Sequence, residues 1–96
     1  MHIISKKKLK DFWEKHADSK NALQAWYKTV EKTKYATLNE LKATFPKADL
    51  VTGKVIFDIG GNKYRLITVI HFNRAKVYIR DVFDHKEYDK EKWRNG

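Results

Sequence analysis

The sequence predicts an α+β fold, with helices in its first half packed on one face of a small, mainly antiparallel sheet. The second half forms that sheet, and a short helix closes the chain. Two observations carry this. Up to about Phe45 the apolar residues recur at helical spacing, whereas from Lys54 to Phe83 they alternate as strands do. No repeat, low-complexity tract or linker divides the halves, so they read as two layers of one domain over residues 1–96. With 42% hydrophobic residues, the chain supplies one modest core.

Taken in order, "MHII" is short and β-prone, as an edge strand is. Ser5 is placed to cap a helix in which Leu9, Phe12, Trp13 and His16 share a face and Lys6, Lys7, Lys8, Lys10 and Lys15 fill much of the rest. Asp18 or Ser19 caps a second helix, whose Leu23, Trp26, Tyr27 and Val30 follow the i, i+3, i+4, i+7 rule. Trp13, Trp26 and Tyr27 read as core. Thr37 and Glu40 form a T-x-x-E capping box before "LKATF", and Pro46 ends that helix by disfavouring α geometry at Phe45. In "KVIFDIG", Val55, Phe57 and Ile59 alternate, and "GGN" at 60–62 is a hairpin signal because Gly and Asn accept positive φ. "KYRLITVIHF" reads as a central strand, apolar on both faces near its middle. "NRA" at 73–75 turns the chain into "KVYIRDVF". Asp84 then caps a terminal helix holding "HKEYDKEKW", anchored by Trp93. Strict alternation puts Arg65, Ile67, Val69 and His71 on one face of the central strand, His71 half-buried there. On the last strand it sets Tyr78, Arg80 and Val82 against Val77, Ile79, Asp81 and Phe83. One sheet face is then apolar and the other carries Arg65 and Arg80.

Charge narrows the function. Lys and Arg total 21 against 12 acids, a net charge of +9, which favours a polyanionic partner, nucleic acid before an acidic protein or an anionic membrane surface. There is no cysteine, hence neither a disulfide nor a thiolate metal site. The start of the chain lacks the apolar region of a signal peptide, and "LITVI" is too short to span a bilayer. A cytoplasmic protein with no membrane partner is expected. The four histidines are scattered with no close pair. His85 and Asp89 lie four apart, but two ligands do not make a metal site, so no metal or other cofactor is expected. Phosphate-loop and dinucleotide motifs are absent, and Ser5 and Ser19 lack an elbow motif.

A cationic and phenolic set remains: Arg65, Arg80, His85 and Tyr88, with Lys54, Lys63 and Lys86 nearby in sequence. Metal-free phosphodiester cleavage needs a group to take the 2′-hydroxyl proton, a cation for the transition-state charge and a donor for the leaving oxygen. Guanidinium suits the second role, and His or Tyr the others. By composition alone, "HKEYDK" at 85–90 reads first as an exposed, charged helix.

The order "MHIIS", two helices, "FDIGGNKYRL" and "VYIRDVFDHKEYDK" closely resembles the HigB-type toxins of bacterial type II toxin–antitoxin systems, within the RelE-like group. The most specific pieces are "GGNKYRL" at 60–66 and "IR" at 79–80 followed by "HKEYD" at 85–89. The resemblance spans nearly the whole chain. It implies a RelE-like fold and a ribosome-dependent endoribonuclease that cuts mRNA in the decoding (A) site. It also implies a HigA-type helix-turn-helix antitoxin, through which alone operator DNA is contacted. Carried over by position, Arg65 binds the scissile phosphate, Arg80 joins it at the transition state, and His85 and Tyr88 move protons or position substrate. Lys54, Lys63 and Lys86 contact the RNA backbone. Asp84 stands where a threonine is expected, placed to cap the last helix or to pair with His85, and Asp81 adds a second acid. A non-catalytic RNA- or ribosome-binding module is the alternative, and a domain serving only an acidic protein partner is a third reading.

Overall fold

The computed structural model describes residues 1–89. Strand β1 (His2–Ile4) leads directly into helix α1 (Lys6–Lys15), and a short 3₁₀ turn (Ala17–Ser19) into α2 (Lys20–Lys32). Helix α3 (Leu38–Thr44) precedes β2 (Asp49–Val51), β3 (Lys54–Ile59), β4 (Tyr64–His71), β5 (Lys76–Asp84) and α4 (His85–Asp89). The five strands form one sheet in the order β1-β5-β4-β3-β2. All pairs are antiparallel except β1, which lies parallel to β5 and pairs Ile3 with Val77.

The helical period explains which face is covered. Leu9 from α1, with Leu23, Trp26 and Val30 from α2, is buried together with Phe57, Leu66, Val77 and Ile79 of the sheet. The rings of Trp26 and Phe45 meet Phe57 edge-on, with centroids 5.3 and 5.1 Å away. Trp13 and Tyr27 are less buried than their spacing suggests; both are half-buried at the seam between α1 and α2. The opposite sheet face carries a smaller apolar cluster, Ile56 and Ile67 with Val51, Phe83 and Tyr88 around them.

The capping box before α3 is present in full: Thr37 Oγ1 accepts from Glu40 N at 3.2 Å, and Glu40 Oε2 accepts from Thr37 N at 3.1 Å. The expected caps of α1 and α2 are different. Ser5 occupies the N-cap position with φ 75°, and its side chain caps nothing. Here β1 must turn sharply into α1, and the left-handed backbone makes that turn. Ser19 Oγ donates to His16 O at 2.7 Å, while Asp18 reaches across to the β3–β4 hairpin.

That hairpin turns on Gly60, Gly61 and Asn62, with φ of 63°, 61° and 79°. Its register sets Ile59 opposite Tyr64 and Asp58 opposite Arg65. The alternation expected along β5 holds only as far as Ile79. Thr68 pairs with Ile79 but Ile67 with Asp81, so Arg80 is an extra residue in a β-bulge. The slip moves Val82 into the cluster with Val77 and Ile79, and Phe83 into the cluster with Ile56 and Ile67. Lys8 Nζ, from the lysine run of α1, donates to Arg80 O at 2.9 Å. His71, expected half-buried, is exposed and meets the Tyr78 ring edge-on at 5.3 Å.

Candidate active site

The hairpin, the end of β5 and the start of α4 converge on Arg65. Its Nε stands 3.1 Å from Asp58 Oδ1 in an ion pair with the cross-strand partner that the register dictates. Nη1 donates to the carbonyls of Asn62 at 3.0 Å and Tyr64 at 3.2 Å. Nη2 lies 3.3 Å from His85 Nε2, and the guanidinium stands over the Tyr88 ring at 5.6 Å. Nη1 thus makes two hydrogen bonds, Nη2 faces His85 and Nε is ion-paired, so much of the guanidinium is already engaged.

A guanidinium only donates, so a hydrogen bond across this contact uses Nε2 as the acceptor, which is the tautomer with the proton on Nδ1. Nδ1 in turn faces Asp89 Oδ2 at 3.5 Å, the i, i+4 pair on α4. Asp84 does not take that role. Its Oδ1 accepts from Glu87 N at 2.8 Å while Glu87 Oε1 accepts from Asp84 N at 3.4 Å, a reciprocal box that starts α4 and fixes the position of His85.

Beside His85 lies an open groove of about 640 Å³, with Lys63 and Lys86 among its walls, and Asp18, Tyr64 and Asp84 as well. Tyr64 OH donates to Asp18 Oδ1 at 2.7 Å, and Lys63 Nζ stands 3.5 Å from Asp18 Oδ2. The Tyr64 hydrogen bond, helped by Lys63, holds the Asp18 carboxyl below the usual carboxylate range. The same bond, with burial and the negative charges of Asp18 and Asp84, raises the Tyr64 phenol. His16 stacks on Phe12 at 4.4 Å and meets Tyr64 edge-on at 5.5 Å, closing the back of this pair.

Of the residues singled out by sequence, Arg65, His85 and Tyr88 are brought together, and Lys63 and Lys86 flank them. Arg80 is exposed at its bulge beside Ile67, two rungs from Arg65, or about 7 Å along the strand. Lys54 is not brought to the groove. It begins β3, four residues or about 13 Å from Asp58, and is 9% exposed. Trp93 and the expected end of the terminal helix lie outside the described residues. Sequence reading did not place Asp58, Asp18 or Tyr64 at the site. Counting outward from "GGN" at 60–62 would pair Asp58 with Tyr64; the loop takes in Lys63 as well, and that sets Asp58 opposite Arg65.

The model of the HigB toxin, the RelE-like toxic component of a toxin–antitoxin system, matches residues 19–91. The chain belongs to the HigB toxin family. It is 39% identical over 92 residues to an mRNA interferase toxin HigB of Escherichia coli strain K12, covering 93% of this chain and 88% of the relative. An mRNA interferase HigB of Shigella flexneri matches to the same extent. A further mRNA interferase HigB, from Escherichia coli O6:H1 strain CFT073, is 31% identical over 93 residues, covering 94% of this chain and 90% of that one. The α+β architecture, with helices on one face of a mainly antiparallel sheet and a short helix after β5, is consistent with a RelE-like fold. The HigB family thus supplies the class of the protein, a toxin with a cognate antitoxin. Among the described residues, no helix is long and apolar enough to cross a membrane.

Proposed function

We propose that this chain is an endoribonuclease that cuts mRNA during translation in the cytoplasm and is neutralised by a HigA-type helix-turn-helix antitoxin. The observation that carries the reading is the convergence of Arg65, His85 and Tyr88 beside a lysine-flanked groove. It occurs in a chain whose relatives of similar length are named mRNA interferases.

The chemistry needs no metal. The 2′-oxygen of one nucleotide attacks the adjacent phosphorus, the 2′-O–P bond forms, and the P–O5′ bond breaks. His85 Nε2 is the acceptor for the 2′-hydroxyl proton once the phosphate draws Arg65 Nη2 away from it. Arg65 and Arg80 meet the charge that develops on the phosphate oxygens, and Tyr88 protonates the leaving 5′-oxygen or stacks on a base. Lys63 and Lys86 hold the backbone on either side.

The openness of the groove supports a dependence on the ribosome. Much of the Arg65 guanidinium is already engaged as well, so RNA free in solution meets little that would hold it in line for attack. A decoding site that presents the strand in a fixed pose supplies the positioning instead.

The non-catalytic alternative draws on the same engaged guanidinium, because an arginine locked into a hairpin is also a structural residue. Induction in growing cells followed by mapping of mRNA 5′-ends separates the two: cuts in phase with codons support the enzyme, and ribosome stalling without cuts supports the binder.

A further inference from the structure

On the sheet face opposite Arg65, helices α1 and α2 leave between them a cavity of about 230 Å³. Its walls are Trp13 and Tyr27, the side chain of Gln24, and three exposed lysines, Lys6, Lys10 and Lys28. Lys6 Nζ sits over the Tyr27 ring, 4.4 Å from its centroid. Burial, then the neighbouring Glu31 carboxylate, pushes the Tyr27 phenol up, so this ring stays neutral at physiological pH. The spacing of the two aromatics is that of core residues, yet each is half-buried and lines the cavity. The cavity is smaller than the ~300–1,000 Å³ of sites that enclose a drug-sized ligand. It has room for one flat ring whose attached charge stays outside, among the lysines.

Rings that stack, amide and ammonium donors, and cations at the rim are the requirements for single-stranded nucleic acid held by one unstacked base and its phosphates. We infer that the α1–α2 cavity is a second RNA site, taking an unpaired nucleotide of a strand other than the one at Arg65. On the reading of this chain as a ribosome-acting nuclease, that strand is structural RNA around the decoding site, gripped while the opposite face addresses the message. An acidic protein segment would satisfy the lysines equally. It would leave the two rings and the ring-sized cavity they line without a role, which is why RNA is favoured.

The probe is a short oligouridine, fully 2′-O-methylated so that it cannot be cut, titrated against the whole chain without ribosomes. A matching probe carrying 4-thiouridine is crosslinked by light and the adduct mapped by mass spectrometry. Adducts are expected on Trp13 or Tyr27. The triple change Lys6→Ala, Lys10→Ala, Lys28→Ala should reduce the slope of log affinity against log salt by about 2. Tyr27→Leu should weaken binding about 10-fold, and Tyr27→Phe, which keeps the ring and the packing, should bind as the parent does. His85→Ala should bind the probe unchanged, so a failure of cleavage in cells and a failure of this site are read separately. Adducts confined to the Arg65 face, undiminished affinity in folded Tyr27→Leu, or displacement of the probe by polyglutamate as readily as by unlabelled RNA would each overturn the inference.

Discussion

Replacing Asp58 by Asn tests whether a carboxylate, rather than the hairpin carbonyls, sets the attitude of Arg65. The pair is 3.1 Å apart, with side chains 14% and 24% exposed. At an effective dielectric of about 20 its Coulomb energy is about 5 kcal/mol before desolvation is subtracted. Breaking a fully buried pair costs about 3–5 kcal/mol, while fully exposed pairs contribute about 0.2–1 kcal/mol. This pair lies between those limits, so Asp58→Asn should cost about 2 kcal/mol. For a chain of this size the melting temperature should fall by about 8–16 °C. Urea melts of the parent, Asp58→Asn, Arg65→Met and the double variant give the coupling directly. A coupling of at least about 1 kcal/mol is expected. A coupling near zero would mean that Asn62 O and Tyr64 O hold the guanidinium unaided, and the reasoning about Asp58 would fail.

Three further outcomes are expected. Thr37→Ala removes one arm of the α3 capping box and should cost about 1 kcal/mol in the same melts, with no effect on toxicity. Tyr64→Phe removes the hydrogen bond to Asp18, and the two pKa directions predict where. The lowered Asp18 value contributes stability above the ordinary carboxylate pKa that is lost as pH falls through the folded value. The raised Tyr64 value contributes stability below the ordinary phenol pKa that is lost as pH rises through the folded value. Melts across pH should therefore show the parent losing its advantage over Tyr64→Phe at both the acid and the alkaline ends. His85→Ala, at an exposed ring, should leave the melt within about 0.5 kcal/mol of the parent. It should lower cleavage by about 10²–10⁴-fold, read as the accumulation of cut mRNA after induction.

Much of this was legible from sequence where a local signal has a single structural solution. The T-x-x-E box at Thr37 and the "GGN" turn appear as expected, because capping and positive φ are decided within a few residues. The helix periodicity placed Leu23, Trp26 and Val30 in the core for the same reason. The bulge at Arg80 was missed because strict alternation was carried through it. That alternation puts Asp81 on the face of Val77 and Ile79 and Val82 on the other, and the extra residue Arg80 reverses the two. The parallel pairing of β1 with β5 is a long-range contact that three residues cannot announce. At the site, residue chemistry gathered Arg65, Arg80, His85 and Tyr88 as one set, and the family resemblance gave them roles. Neither foresaw that the guanidinium would be held by the hairpin itself, which depends on side-chain directions fixed only when the hairpin folds. The Asp84 cap of α4 and the i, i+4 spacing of His85 and Asp89 were both legible in the sequence. Lys54 shows the converse: near the group in sequence, it starts its strand at the far end and is buried there.

The central claim is that the Arg65, His85 and Tyr88 cluster cleaves mRNA on the ribosome. It is tested most directly by mapping mRNA 5′-ends in cells that express the parent or His85→Ala at matched levels of folded protein. The account predicts new ends within translated regions, in phase with codons, for the parent and their near-complete loss in the variant. Undiminished cutting by folded His85→Ala, or growth arrest by the parent with no new ends, would contradict it.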